Sequence, residues 1–378
     1  MDQITIGVIG TGFMGKCHAL AFRAVPAVFP DAPLARLELL ADVDPVVTER
    51  AARSFGFARW TTDWRALVAD PAVALVAIAT PNFLHEEMAL AAIAAGKHVY
   101  CEKPLALDAR GAKAMADAAE SAGVRTLVGY NYLRNPATRL AREIIQSGEI
   151  GEIVHFKGAH LEDYMSDPEA PFSWRCKKTT AGAGAVADLG SHAISLARFL
   201  VGEITEACGS VQTMIKERPL PGERSRMGAV EVDDQAQALV RFEGGAAGTL
   251  EASWIAAGRK MALTYEVTGT KGALMHDQER MNELRLFSYG HAKRLDGFKT
   301  ILTGPEHPDY GAFCPAAGHQ LGFNDLKVIE VKDLLEGIAR RAPLDPDFRG
   351  AWKIARVVDA ILLSAAEGRP VEVAELGE

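Results

Sequence analysis

Six residues near the start of the chain, Gly10-Thr11-Gly12-Phe13-Met14-Gly15, constrain its fold more than any other segment. They follow the apolar run Ile4 to Ile9 and precede a helical pattern, so a buried strand must turn sharply into a helix. Glycines spaced G-x-G-x-x-G permit the tight turn, a close backbone approach to a pyrophosphate and tight helix packing. The helix N-terminus then offers N–H groups and the positive end of its dipole to phosphates. Gly10, Gly12, Phe13 and Met14 are therefore expected to cradle a dinucleotide.

To about residue 128, short β-branched runs alternate with alanine-rich helical patterns, as in βα units around a parallel sheet. Strands are expected at Ile4 to Ile9, Leu37 to Ala41, Leu75 to Ala79, His98 to Cys101 and Thr126 to Val128. Helices are expected at Pro45 to Ser54, Asp63 to Ala69, Leu84 to Ala95 and Asp108 to Ala122, several with an Asp at the N-cap and a Gly past the end. The second strand closes in Asp42, 27 residues beyond Gly15 against the usual ~20, an excess that the Pro26 to Pro33 insertion explains. A carboxylate there accepts from ribose hydroxyls and repels a 2′-phosphate, which favours NAD over NADP. Asp44 before Pro45 is the better helix cap.

After a helix at Pro136 to Ser147, longer alternating runs take over: Ile153 to Ala159, Ala207 to Ile215, Ala236 to Phe242, Gly248 to Trp254 and Leu263 to Gly269. The turns Glu243-Gly244-Gly245 and Gly269-Thr270-Lys271-Gly272 read as hairpin connections. A helix at Ser191 to Leu200 interrupts the strands, and helical patterns near Asp325 to Arg340 and Arg349 to Glu367 end the chain. The expectation is an α/β nucleotide-binding domain at 1–128 and an α+β domain with a large, mostly antiparallel open sheet at 129–378. Lys216 to Met227 and Gly304 to Gly322 read as exposed or substrate-facing loops.

A chain of 378 residues is long enough for two such domains. A net charge of -8, with no basic aromatic-interleaved stripe, excludes a nucleic-acid partner. Five scattered cysteines without a C-x-x-C pair signal neither a disulfide framework nor zinc and fit a reducing cytoplasm. No uncharged apolar stretch approaches the roughly 18 residues of a membrane span.

Two clusters carry the residue types that hydride transfer from an alcohol requires. Glu102-Lys103-Pro104 lies at the carboxyl end of a parallel strand, where open α/β sheets bind ligands. A lysine there can hydrogen-bond a reacting hydroxyl and stabilise the developing alkoxide, and a cis bond before Pro104 would fix the turn. The second cluster is Ala183-Gly184-Ala185-Val186-Ala187-Asp188-Leu189-Gly190-Ser191-His192. Asp188 and His192 are four apart and would share one helical face, the imidazole taking a proton and the carboxylate orienting it. No third ligand accompanies them, so no metal is expected.

At these residues the chain resembles the glucose-fructose oxidoreductase / inositol dehydrogenase / rhizopine-catabolism (Gfo/Idh/MocA) family over essentially its whole length. The pieces appear in order: Val8 to Gly15, Ile78-Ala79-Thr80-Pro81-Asn82 with His85, Cys101 to Leu105, Gly129-Tyr130-Asn131-Tyr132 before Pro136, and Gly184 through His192. The resemblance implies a Rossmann domain and a catalytic group of Lys103, Asp188 and His192, with His192 as proton acceptor. It also implies that Thr80, Asn82, His85, Glu102, Lys103 and Asn131 lie along the cofactor, and that Tyr132, Asp163, Trp174 and Arg175 reach substrate. Leu161 to Tyr164 and Pro171 to Arg175 look most like the levoglucosan dehydrogenase-like branch, although Ser195 stands where many relatives carry Asp. The implied activity is NAD-dependent oxidation of a ring hydroxyl of a pyranose, anhydrosugar or cyclitol by a homodimer or homotetramer paired through the second domain's sheet. The alternatives are an NADP-dependent ketosugar reductase, an NAD-dependent glycosidase and a non-catalytic dinucleotide sensor.

Overall fold

The computed structural model describes residues 3–290 and 292–377. They divide into two compact units, Met1–Arg134 with Gly322–Lys353, and Asn135–Leu321 with Ile354–Glu378. This corrects the 1–128 and 129–378 division expected from sequence. The helix Phe323–Ala339 belongs to the first unit because its Lys327 and Glu330 pair with side chains of that unit.

The first unit is built on six parallel strands, β1 (Gln3–Ile9), β2 (Leu34–Ala41), β3 (Arg59–Thr61), β4 (Leu75–Ile78), β5 (His98–Cys101) and β6 (Thr126–Val128), in the order β3-β2-β1-β4-β5-β6. Every strand expected here is present. The short β3 was not expected, since three half-exposed residues make too brief a run to carry a period. The order reverses on either side of β1, so the carboxyl ends of β1 and β4 flank a topological switch point. Helices Phe13–Val28, Pro45–Phe55, Trp64–Ala69, His85–Ala94 and Ala109–Ala122 connect the strands. Asp44 caps the second of them by accepting from the Val46 and Val47 N–H groups, at 2.9 and 3.0 Å.

The second unit carries β7 (Ile153–Leu161), β8 (Ile204–Gln212), a hairpin β9 (Glu217–Leu220) with β10 (Glu223–Ala229), then β11 (Gln235–Phe242), β12 (Ala247–Ser253) and β13 (Ala262–Gly269). It continues with β14 (Gly272–Asp277), β15 (Glu283–Ser288), β16 (Lys299–Leu302) and β17 (Val371–Glu372). Nine of these form one sheet, β16-β15-β14-β13-β7-β12-β11-β8-β17, in which only the β7/β12 pair is parallel. Strand β11 alternates buried and exposed along its length, so one sheet face is packed and the other open. The expected loop at Lys216 to Met227 is instead the β9/β10 hairpin: Arg218 is fully buried and donates to the Met165 and Asp167 carbonyls at 2.6 and 2.8 Å. Gly304 to Gly322 is irregular apart from a single turn at Tyr310–Ala312.

Candidate active site

In the first unit the glycine turn closes at the end of β1. Gly10 sits at φ +107°, and a Cβ at Gly15 would lie 2.0 Å from the Gly10 carbonyl oxygen, so both positions demand glycine. A Cβ at Gly12 would meet nothing, which leaves open space above the first turn of the helix it caps. The first amides of that helix have no acceptor within the helix itself and are the natural anion donors. Asp42 anchors the other side of the turn: its Oδ2 accepts from the Thr11 N–H at 2.7 Å and the Thr11 hydroxyl at 2.5 Å, and its Oδ1 from the Val43 N–H at 2.7 Å. Phe13 is exposed and stacks on Phe323, with ring centroids 5.8 Å apart; Tyr132 tilts against the same ring at 6.2 Å. Phe323 carries no signal in the sequence, because its contact with the turn depends on a helix more than 300 residues away.

Thr80 and Asn82 lie half-buried after β4. His85 is placed differently from the expectation. It is fully buried, with Nδ1 2.9 Å from the Pro104 carbonyl oxygen and Nε2 2.9 Å from that of Thr80, and burial lowers its pKa. It therefore ties the turn after β4 to the turn after β5, and has no exposed surface to offer a cofactor. The Lys103–Pro104 bond is cis.

Glu102 is corrected in the same way. Its carboxylate points into a buried cluster: Oε1 accepts from Lys327 Nζ at 2.8 Å and meets His18 Nε2 at 2.7 Å. Lys327 also donates to Glu330 at 2.9 Å and to the Tyr100 hydroxyl at 3.0 Å, Tyr100 donates to Glu330, and the His18 ring stacks on Tyr100 at 4.4 Å. Burial alone would raise the Glu102 carboxyl, but the Lys327 ammonium and the His18 contact outweigh it and hold it well below the usual carboxylate range. Burial conversely lowers the His18 pKa and keeps the ring neutral. Glu102 is thus committed to this buried cluster, one residue before Lys103. Asn131 is buried, and its Nδ2 finds no acceptor among the described residues. An unmet donor in a dinucleotide-binding unit, together with the open cradle at Gly12, fits a bound dinucleotide.

In the second unit Val186–Gly190 is a π-helical turn that runs into the α-helix Ser191–Leu200. The Asp188 to His192 spacing is therefore not the α-helical one expected, since a π turn inserts an extra residue, and such turns are frequent at functional sites. Gly184 is packed so closely that a Cβ would lie 1.8 Å from the Asp233 carbonyl oxygen. The buried Asp233 carboxylate accepts from the Gly184 and Val186 N–H groups, both at 2.8 Å. Asp188 Oδ2 accepts from the Tyr164 hydroxyl at 2.6 Å, with Arg175 Nε 3.9 Å away. His192 is buried and packs edge-on to His160, with centroids 5.3 Å apart. His160 spans from the Leu189 carbonyl oxygen to Glu162 Oε1, at 3.1 and 3.0 Å. The Arg175 guanidinium stacks on Trp174 at 4.4 Å. Asp163, expected at the substrate, spends both oxygens on Lys260, at 3.0 and 2.7 Å, and on the Gly258 N–H. Sequence reasoning missed Tyr164, His160 and Asp233 as parts of this cluster. Among the described residues no group of three or more His, Cys, Asp or Glu could hold a metal, and no helix is long and apolar enough to cross a membrane.

A six-stranded parallel sheet with a glycine turn and a carboxylate at its switch point, in a chain that also carries a large, mostly antiparallel sheet, has the architecture of a two-domain NAD-dependent oxidoreductase. Residues 4–130 match the model described as oxidoreductase family, NAD-binding Rossmann fold, and residues 138–275 match the GFO/IDH/MocA C-terminal domain. The chain is 40% identical to the levoglucosan dehydrogenase of Pseudarthrobacter phenanthrenivorans over 100% of both chains. It is 31% identical to the scyllo-inositol 2-dehydrogenase (NAD(+)) of Bacillus subtilis over 76% of this chain and 77% of that one. A solved levoglucosan dehydrogenase in complex with NADH and levoglucosan superposes with a TM-score of 0.96 at 40% identity, over 99% of this chain and 100% of that one. The chain belongs to the Gfo/Idh/MocA oxidoreductase family.

Proposed function

We propose that the protein oxidises a ring hydroxyl of a pyranose sugar, anhydrosugar or cyclitol to the ketone or lactone, with levoglucosan the first substrate to test. The observation that carries this reading is the likeness to a levoglucosan dehydrogenase, 40% identity over 100% of both chains. When bound, NAD supplies the hydride acceptor. The glycine turn and helix N-terminus hold its pyrophosphate, and Asp42 takes the ribose hydroxyls. Lys103 hydrogen-bonds the reacting hydroxyl and stabilises the alkoxide charge as the proton leaves. An imidazole nitrogen of His192 accepts that proton, with Asp188 as its electrostatic partner. Trp174, Arg175 and Tyr132 are assigned to the sugar.

Absorbance of NADH during a screen of levoglucosan, inositols, glucose, glucosides and disaccharides tests the activity. A cofactor that no sugar reduces would overturn it, and products of glycosidic cleavage without net NADH would favour a glycosidase instead. Lys103→Met and His192→Ala are expected to lower turnover by orders of magnitude with NADH binding retained; near-normal rates in both would remove the assigned roles. A reducing cytoplasm and an assembly of two or four copies through the open face of the nine-stranded sheet belong to the same proposal. Light scattering that gives the single-chain mass of 40.6 kDa would remove the assembly.

A further inference from the structure

The segment after β7 leaves the sheet under tight control. The Glu162 N–H donates to the Ser253 carbonyl and the Ala256 N–H to the Glu162 carbonyl, both at 2.8 Å, while the Met165 N–H donates to the Trp254 carbonyl at 3.0 Å. Tyr164 stands between these anchors. Its ring meets Trp254 edge-on, with centroids 6.1 Å apart, and Trp254 is buried and donates from Nε1 to Asp234 at 2.8 Å. The neighbouring Asp233 holds the Gly184 and Val186 amides that open the turn carrying Asp188. Two adjacent aspartates therefore fix both ends of one hydrogen bond, the 2.6 Å contact from the Tyr164 hydroxyl to Asp188 Oδ2.

An aspartate's terminal torsion is broad, so its carboxylate takes whatever angle its donors impose. Arg175 is a weaker guide at 3.9 Å, because its side chain is 41% exposed. We infer that Tyr164 is a positioning residue, whose hydroxyl sets the angle of the Asp188 carboxylate for the proton-transfer step. This rests on the role proposed above for Asp188.

The test is Tyr164→Phe in the full-length enzyme with NAD and levoglucosan, alone and combined with Asp188→Ala. The residue is 43% exposed, so loss of one hydroxyl is expected to leave the fold intact. The expected result is a fall in kcat on the order of ten- to a hundredfold, with KM within about threefold and NADH affinity unchanged. In the Asp188→Ala background the second change is expected to have no further effect, because Tyr164 acts through that carboxylate. A raised KM with kcat kept would make Tyr164 a substrate contact and overturn the inference, as would equal losses in both backgrounds. If the wild-type enzyme oxidises no sugar, the proposed function fails by itself. The melting temperatures of the same four proteins then test the Tyr164–Asp188 contact on which the inference depends, with strictly additive shifts overturning it.

Discussion

Asp42 places a fixed carboxylate beside the glycine turn, held by the Thr11 amide and hydroxyl. A 2′-phosphate brought to that point meets like charge, and among the described residues the carboxylate's hydrogen bonds come from Thr11 and Val43. Asp42→Ala is expected to weaken NADH binding and to narrow its advantage over NADPH by about tenfold or more, read by fluorescence titration; an unchanged ratio would show that another group discriminates. The place of this residue was legible in the sequence because it follows from the end of one strand and the turn beside it. His85 and Glu102 were not. Their motifs were recognised, but where each side chain points is decided by what packs against it. For His85 that is a carbonyl 19 residues on, and for Glu102 a lysine 225 residues on.

Helix Phe323–Ala339 shows the same limit at the scale of an element. Its helical period was readable, but its destination was not, because amphipathicity says that a face is buried and not against which unit. Lys327 and Glu330, one turn apart, complete a cluster that includes Glu102, Tyr100 and His18. Lys327→Met would leave two carboxylates buried with no ammonium between them. Removal of one partner from a buried ion pair costs about 3–5 kcal/mol, so the melting transition is expected to drop by roughly 10 °C or more. A shift of only a degree or two in calorimetry would mean that the carboxylates find water or protons instead. The π turn at Val186–Gly190 escaped for a related reason: a single extra residue in a turn leaves the surrounding apolar pattern intact.

Across the whole molecule, the two architectures were readable from the switch between alternating βα units and long antiparallel runs. Strand edges, the short β3 and the β9/β10 hairpin were not, since polar, charge-rich segments carry no hydrophobic period. One global property follows from burial alone. His18, His85 and His276 are buried, and burial lowers the pKa of each. Their folded values lie below the unfolded value near 6.5, so the unfolded chain binds more protons once the pH drops past that point. Their contribution is complete above pH 6.5 and is lost as the pH falls toward the folded values, at up to about 1.4 kcal/mol per unit for each ring. Glu102 does not act in that window, because a depressed carboxyl keeps its full contribution above its unfolded value near 4.3 and loses it progressively as the pH falls below that. Melting temperature is expected to decline steadily from pH 7 to pH 5, and a flat or rising curve would contradict the neutral state of these rings.

The chain passes between its two units three times, after Arg134, Leu321 and Lys353. A gene fragment that ends at residue 134 would therefore encode a nucleotide-binding sheet without the ammonium that neutralises Glu102. Recombination that trades this sheet for another cannot work through a single crossover. It must also carry the stretch that encodes residues 322–353, which lies beyond residues 135–321 of the second unit.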